Sequence, residues 1–395
     1  MKLSQRVQSV AESATLAVTA KANKMKADGI DVVSFGAGEP DFDTPVHIKE
    51  AANKALAAGK TKYTASAGVP ELREAIARKL RTDNGLNVRP ENVTTGCGGK
   101  HVLYNALQAL IDPGDEVIIP TPYWVSYADM VLLAGGVPVF VRGDEKNSFK
   151  LSVADFAAAV TPRTKVVILN SPNNPAGYNY EPDELRKIAE WAAGTNLIFF
   201  SDEIYEKLVY PPSKFVSFAT LAPGLEAKTI TFNGFAKTYS MTGWRVGYAA
   251  GPADVIKAMT NLASHSTSHV TTFAQYGAVA ALNGDQGCVE TMRREFEKRA
   301  KLIHQRLTAL PGVTCIRPAG AFYAFPNMSA HYDRFAPAND VPRSLQFADH
   351  VLEKIHVAVV PGCAFGTDEF VRLSFATSEE QINKGLDKLE KLLKG

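Results

Sequence analysis

The chain is 395 residues long, 46% hydrophobic and 21% charged, and its 43 basic residues nearly balance 41 acidic ones to leave +2. So small a charge, with no long basic run, argues against nucleic-acid binding driven by charge. No run of about 18 apolar residues is present, which argues against a transmembrane helix, and the length calls for two domains or one large one.

From the N-terminus, MKLSQRVQSVAESATLAV lacks the apolar core of a secretory signal. The four cysteines, Cys97, Cys288, Cys315 and Cys363, form no CxxC pair and no metal-like Cys/His spacing. Reduced thiols in a cytoplasmic protein, with no metal, are expected. Residues 1–45 read as an arm that also contributes to a small domain. GAGEPDF (Gly36–Phe42) is not a dinucleotide fingerprint, because the third glycine is missing and no βαβ unit follows.

Residues 46–292 read as a large α/β domain. VTTGCGGKHVLYNALQAL (Val93–Leu110) places glycines before a helix pattern, which offers free backbone N–H groups and a positive helix end to an anion. It is not a Walker A loop, since His101 follows Gly99-Lys100. Apolar runs then recur as DEVIIPTPYW (from Asp115), TKVVILNSPNNP (from Thr164), NLIFFSDEIY (from Asn196) and TITFNGFAK (from Thr229). Helix patterns such as PDELRKIAEWAAG (Pro182–Gly194) lie between them. This alternation implies a mainly parallel sheet, and continuous runs such as VVIL and LIFF suit strands buried on both faces.

Residues 293–395 read as a smaller α+β domain. A charged helix pattern (Val289–Leu310) leads into it. Short strands follow at GAFYAF (from Gly320), VAVVPG (from Val357) and VRLSFA (from Val371). An amphipathic helix from Ser378 closes the chain.

Ligands of open α/β sheets bind outside the carboxyl ends of strands. There VVIL gives way to Asn170 and SPNNPAG, LIFF to Ser201, Asp202 and Glu203, and TITF to Asn233, Gly234 and Lys237. Each polar residue alone could be a helix cap. Together they offer an amide, a carboxylate and an amine to one rim. A phosphate-bearing cofactor that also needs a lysine and an acidic partner points to pyridoxal phosphate. Arg245, eight residues past Lys237, can clamp a phosphate if TYSMTGW turns the chain back.

The order and spacing of GAGEPDFDTP, KYTASAGVPELREAI, GGK, PYWVSY, SPNNPAG, SDEIY, NGFAKTYSMTGWRVGY, GAFY and VRLSFATS resemble the fold-type I pyridoxal-phosphate aminotransferases. The closest resemblance is to the bacterial aspartate aminotransferases of subgroup Ib, and it covers nearly the whole chain. It implies that Lys237 is the Schiff-base lysine and proton shuttle, and that Asp202 partners the pyridinium nitrogen. Tyr205 and Asn174 would donate to the cofactor's phenolic oxygen, and Trp124 would stack on its ring. Arg245 and the N–H groups of Gly99 and Lys100 would form the phosphate cup. Tyr63 would reach the phosphate of a neighbouring subunit, which implies a homodimer with sites at the interface.

For the substrate, the resemblance implies that Arg372 forks onto the α-carboxylate and that Gly38 helps through its backbone N–H. Lys100, joined by Ser13 and Thr15, would hold a distal carboxylate. The expected reaction is ping-pong transamination between aspartate or glutamate and 2-oxoglutarate or oxaloacetate. An aspartate/prephenate enzyme forming arogenate is an open alternative, as is a C–S lyase on the same fold. A transcription regulator is disfavoured because residues 1–45 are too few for a DNA-binding domain. Ala236, Gly234 and Ala176 depart from the serine, hydroxyl residue and threonine common in the family, which should shift phosphate contacts without abolishing cofactor binding.

Overall fold

The computed structural model describes residues 2–10, 14–337 and 340–395. Among them, the strands in chain order are β1 (Val33–Ser34), β2 (Val93–Gly96), β3 (Glu116–Thr121), β4 (Val137–Arg142), β5 (Thr164–Asn170), β6 (Ile198–Asp202), β7 (Thr229–Gly234), β8 (Gly247–Ala250), β9 (Tyr323–Ala324), β10 (Val357–Ala358), β11 (Val360–Pro361) and β12 (Val371–Ser374). The central sheet has the order β2-β8-β7-β6-β5-β3-β4. Only β8 runs against its neighbours; the pairs from β4 across to β7 are parallel.

Successive side chains of a strand point to opposite faces, and here both faces are covered. Val167, Leu169 and Phe199 pack with Leu185, Ile188 and Ala192 of the helix Pro182–Ala193. Val166, Ile168, Phe200, Ile230 and Phe232 pack on the other face with the helices Gly99–Leu110 and Ala253–Ser264. That is why VVIL and LIFF lack polar alternation. The edge strand β4 is less completely covered, and it leaves Val137 and Phe140 exposed.

Parallel pairing brings the strand ends into line. Asn170 lies opposite Asp202, and Asp202 opposite Phe232, one residue before Asn233. A second layer holds β11-β12-β9 as an antiparallel sheet and β1-β10 as a parallel pair. Phe35, Phe296, Phe322, Leu373 and Leu386 form its core, with the helices Gly287–Thr308, Arg343–Ile355 and Glu379–Lys394 around it. Among the described residues, no helix is long and apolar enough to cross a membrane.

Two strand expectations need correction. VAVVPG is divided between β10 and β11, which join different sheets. All five residues Val357–Pro361 are buried, so the run reads as continuous although its pairing partner changes after Ala358. Within GAFYAF only Tyr323–Ala324 forms a ladder, because Ala321 turns the chain at φ +55°.

Candidate active site

Lys237 sits in the turn that follows β7. Its Nζ donates to the Gly38 carbonyl, 5.6 Å from the Phe322 ring centroid and 6.0 Å from that of Tyr205. Burial lowers its pKa to about 8, and the positive charge of Arg372 adds to the effect. About a tenth of the amine is therefore neutral at pH 7, far more than for an ordinary lysine.

Asp202 ends β6. The Tyr127 hydroxyl donates to its Oδ2 at 2.5 Å, and the Ile204 N–H to its Oδ1 at 3.3 Å. Burial raises the carboxyl to about 6 against the pull of Tyr127, Ile204 and Lys237. Trp124 stands three residues before Tyr127, at the start of the helix Ser126–Leu133, and its ring meets that of Tyr127 edge-on at 5.3 Å. One helix entrance thus positions both a half-buried aromatic and the partner of Asp202.

The GGK turn opens the helix Gly99–Leu110, whose first N–H groups have no carbonyl four residues back. Gly98 has φ +92°, and a Cβ there would lie 2.3 Å from Arg245 Nη2. The guanidinium therefore rests against bare backbone, donating to Thr242 O at 2.8 Å and Cys97 O at 3.2 Å. Lys100 Nζ lies 5.1 Å over the Trp124 ring. Burial and then Arg245 lower the Lys100 amine, while Asp129 works in the other direction. Gly234 has a packing reason: a Cβ there would meet Gly247 Cα and Val246 O at 3.2 Å, so β8 leaves no easy room for a hydroxyl side chain. Ala176 is likewise fully buried.

Arg372 on β12 is 2% exposed. It donates to Asn174 Oδ1 at 3.1 Å and Gly36 O at 3.0 Å, and its Nε has no partner. Its guanidinium lies 4.5 Å over Tyr323 and 5.2 Å over Phe365. No carboxylate of the described residues pairs with it. The Tyr205 hydroxyl is 2.9 Å from that of Tyr323, and a Cβ on Gly38 would be 3.4 Å from the Tyr323 oxygen.

Lys237, Asp202, Tyr205, Asn174, Trp124, Gly99, Lys100, Arg245, Gly38 and Arg372 thus gather around one rim. Tyr63 does not join them within the chain: it is 91% exposed, edge-on to His269 at 5.6 Å. Thr15 lies in the helix Ala14–Ala27, whose Val18 and Thr19 face Gly36. Ser13 lies outside the described residues. Sequence reasoning missed Tyr127 and Tyr323 as site residues. Both stand inside quoted motifs, PYWVSY and GAFY, but only the packed fold brings their hydroxyls to Asp202 and Tyr205.

These residues fit pyridoxal phosphate. A buried amine of lowered pKa is hydrogen-bonded to a carbonyl rather than a carboxylate, a buried carboxyl has an oxygen with only one long contact, and a guanidinium lines a helix N-terminus cleared of Cβ atoms.

The sequence profile described as aminotransferase class I and II matches residues 30–389. The chain is 51% identical over 394 residues to an aspartate aminotransferase of Geobacillus stearothermophilus, covering 100% of this chain and 99% of that one. It is 44% identical over 396 residues to an aspartate/prephenate aminotransferase of Nitrosomonas europaea, covering all of both. Among solved structures, the aspartate aminotransferase of Thermus thermophilus with maleate superposes with TM-score 0.92 at 46% identity over the whole of both chains. That of Rhizobium meliloti gives 0.94 at 42% identity, over 100% of this chain and 99% of that one.

Proposed function

The chain belongs to the class I and II aminotransferases, and on that premise we propose a pyridoxal-phosphate enzyme that moves an amino group between aspartate or glutamate and 2-oxoglutarate or oxaloacetate. One observation carries the substrate reading: the guanidinium of Arg372 is buried, leaves Nε without an acceptor and faces no protein carboxylate. Burying a cation is costly unless something pairs with it, and a planar fork matches an α-carboxylate.

When bound, the cofactor supplies a carbonyl that links reversibly to amines and a conjugated ring that accepts the electron pair released at the substrate Cα. Arg372 orients the amino acid, with Asn174 and Gly36 holding the guanidinium in plane. The Lys237 amine would take the proton from the substrate Cα and hold it as an ammonium hydrogen-bonded to the Gly38 carbonyl. Asp202, fixed by Tyr127, would pair with the ring nitrogen and favour its protonated form. Arg245 and the Gly99 and Lys100 N–H groups would hold the phosphate, and Trp124 would stack on the ring. Lys100, over Trp124, would receive a distal carboxylate, joined by Thr15 and Ser13. The Thermus relative, solved with the dicarboxylate maleate, supports that reading.

A homodimer belongs to the proposal, because Tyr63 is almost fully exposed and can meet the phosphate only from a second copy. So does a cytoplasmic location, in keeping with four free cysteines. A division into 1–45, 46–292 and 293–395 would let a bound dicarboxylate draw the layer bearing Arg372 onto the layer bearing Lys237. The aspartate/prephenate reading is supported by the name of the Nitrosomonas relative.

Glutamate added alone to the loaded enzyme should bleach its visible band and release 2-oxoglutarate. Pyruvate, ammonia and a thiol released from a cysteine S-conjugate, with no bleaching by glutamate, would point to a lyase. Donor panels against oxaloacetate, 2-oxoglutarate and prephenate, scored as kcat/KM, separate the two aminotransferase readings. Lys237→Ala should lose nearly all turnover; wild-type rates in that variant would overturn the assignment.

A further inference from the structure

We infer that Tyr323 is a positioning residue whose hydroxyl donates to the Tyr205 hydroxyl, and so leaves the Tyr205 proton to serve the cofactor's phenolic oxygen. This rests on the proposed function. The motif GAFY has no other assigned role, although it places Tyr323 at the centre of the site.

The two phenols are 1% and 3% exposed and their oxygens are 2.9 Å apart. Each hydroxyl has one proton, so the pair can be oriented two ways. If Tyr205 donates to Tyr323, its proton is used up and it can only accept from the cofactor. If Tyr323 donates, Tyr205 keeps a proton aimed elsewhere.

The surroundings select the second arrangement. The Arg372 guanidinium lies 4.5 Å from the Tyr323 ring centroid, and a cation over the face makes a phenol more acidic and a better donor. Asp202 sits beside Tyr205 and makes its proton harder to give up. The remaining charged group facing the pair is Lys237, 6.0 Å from the Tyr205 centroid. Burial raises both phenols. Arg372 pulls on both, but Asp202 pushes Tyr205 alone further up. Tyr323 is thus the stronger acid of the pair.

Backbone packing fixes the spacing. A Cβ on Gly320 would lie 2.7 Å from the Pro172 ring and 2.8 Å from Leu208 O, and one on Gly177 would lie 2.6 Å from Tyr323 O. The Ala321 N–H donates to Leu208 O at 2.9 Å. The turn bearing Tyr323 is therefore clamped between the SPNN loop and the segment that follows Tyr205.

The test is Tyr323→Phe, which keeps the ring beneath Arg372 and removes only the hydroxyl. The protein is loaded with pyridoxal phosphate and its visible spectrum is titrated with pH. A phenolic oxygen that loses a well-aimed donor is a poorer anion, so the spectral midpoint should rise by ~0.5 pH unit. Tyr205→Phe should raise it further, and the double variant should match Tyr205→Phe alone, because Tyr323 acts through Tyr205. The KM for the amino donor should change less than about threefold, since the cation–ring contact survives. An unchanged midpoint in loaded Tyr323→Phe, or additive shifts in the double variant, would overturn the inference. A neutron structure of the wild-type holoenzyme gives an independent reading: deuterium on Tyr323 pointing at Tyr205 is expected, and the reverse would overturn it. Failure of the wild type to develop any visible band with the cofactor would instead count against the proposed function.

Discussion

Replacing Lys237 by methionine should stabilise the cofactor-free protein, although it removes the proposed catalytic amine. The amine has little access to water, and its partner in the chain is a carbonyl rather than a carboxylate. Lowering it from 10.5 to about 8 corresponds to a penalty of roughly 3 kcal/mol on the charged form. The side chain keeps partial solvent contact, so ~1–3 kcal/mol is the expected gain at pH 7. For a chain of this length that is a rise of about 1–4 °C in Tm.

The pH dependence follows from the same two values. Between about 8 and 10.5 the unfolded chain still holds the proton that the native protein has released, so wild-type stability rises with pH across that window. The advantage of Lys237→Met should be full below about pH 8 and gone above 10.5. Tm would be followed by differential scanning fluorimetry on stripped protein at one fixed concentration, because the proposed dimer would make Tm concentration-dependent. A variant less stable than wild type at pH 7, or an advantage that persists undiminished above pH 10.5, would refute the reasoning.

Arg372→Lys should raise KM for amino donors ~100-fold, because one ammonium cannot reproduce the fork and Asn174 loses its partner; an unchanged KM would remove Arg372 from carboxylate binding. Lys100→Ala should lower kcat/KM for aspartate and glutamate ~10-fold more than for alanine, and equal losses would assign Lys100 to the phosphate site alone. In Tyr127→Phe, Asp202 loses the hydroxyl that holds its pKa down, so it should titrate above about 6. The acid limb of the kcat/KM profile should move up in pH, and the cofactor Kd, read by absorbance titration, should rise ~10-fold.

The order of apolar runs and polar strand ends was legible in the linear chain, because burial on both faces of a parallel sheet leaves a local mark: VVIL before Asn170, LIFF before Asp202, TITF before Lys237. The types of group were legible too, since an amine, a carboxylate and a guanidinium limit the cofactor they can hold. Together with motif order, that sufficed for the fold class and the family. The folded chain alone decided which groups meet. Arg372 reaches Asn174 across 198 residues, Tyr323 reaches Tyr205 across 118, and Tyr127 reaches Asp202 across 75. Nothing in YWVSY or GAFY marks one phenol among the chain's 13 tyrosines as the neighbour of a particular carboxylate. VAVVPG could not reveal that it serves two sheets, because burial is continuous where pairing is not. The amine of Lys237 and the carboxyl of Asp202 depart from ordinary values through desolvation, and desolvation belongs to the packed surroundings of a side chain rather than to the residue itself.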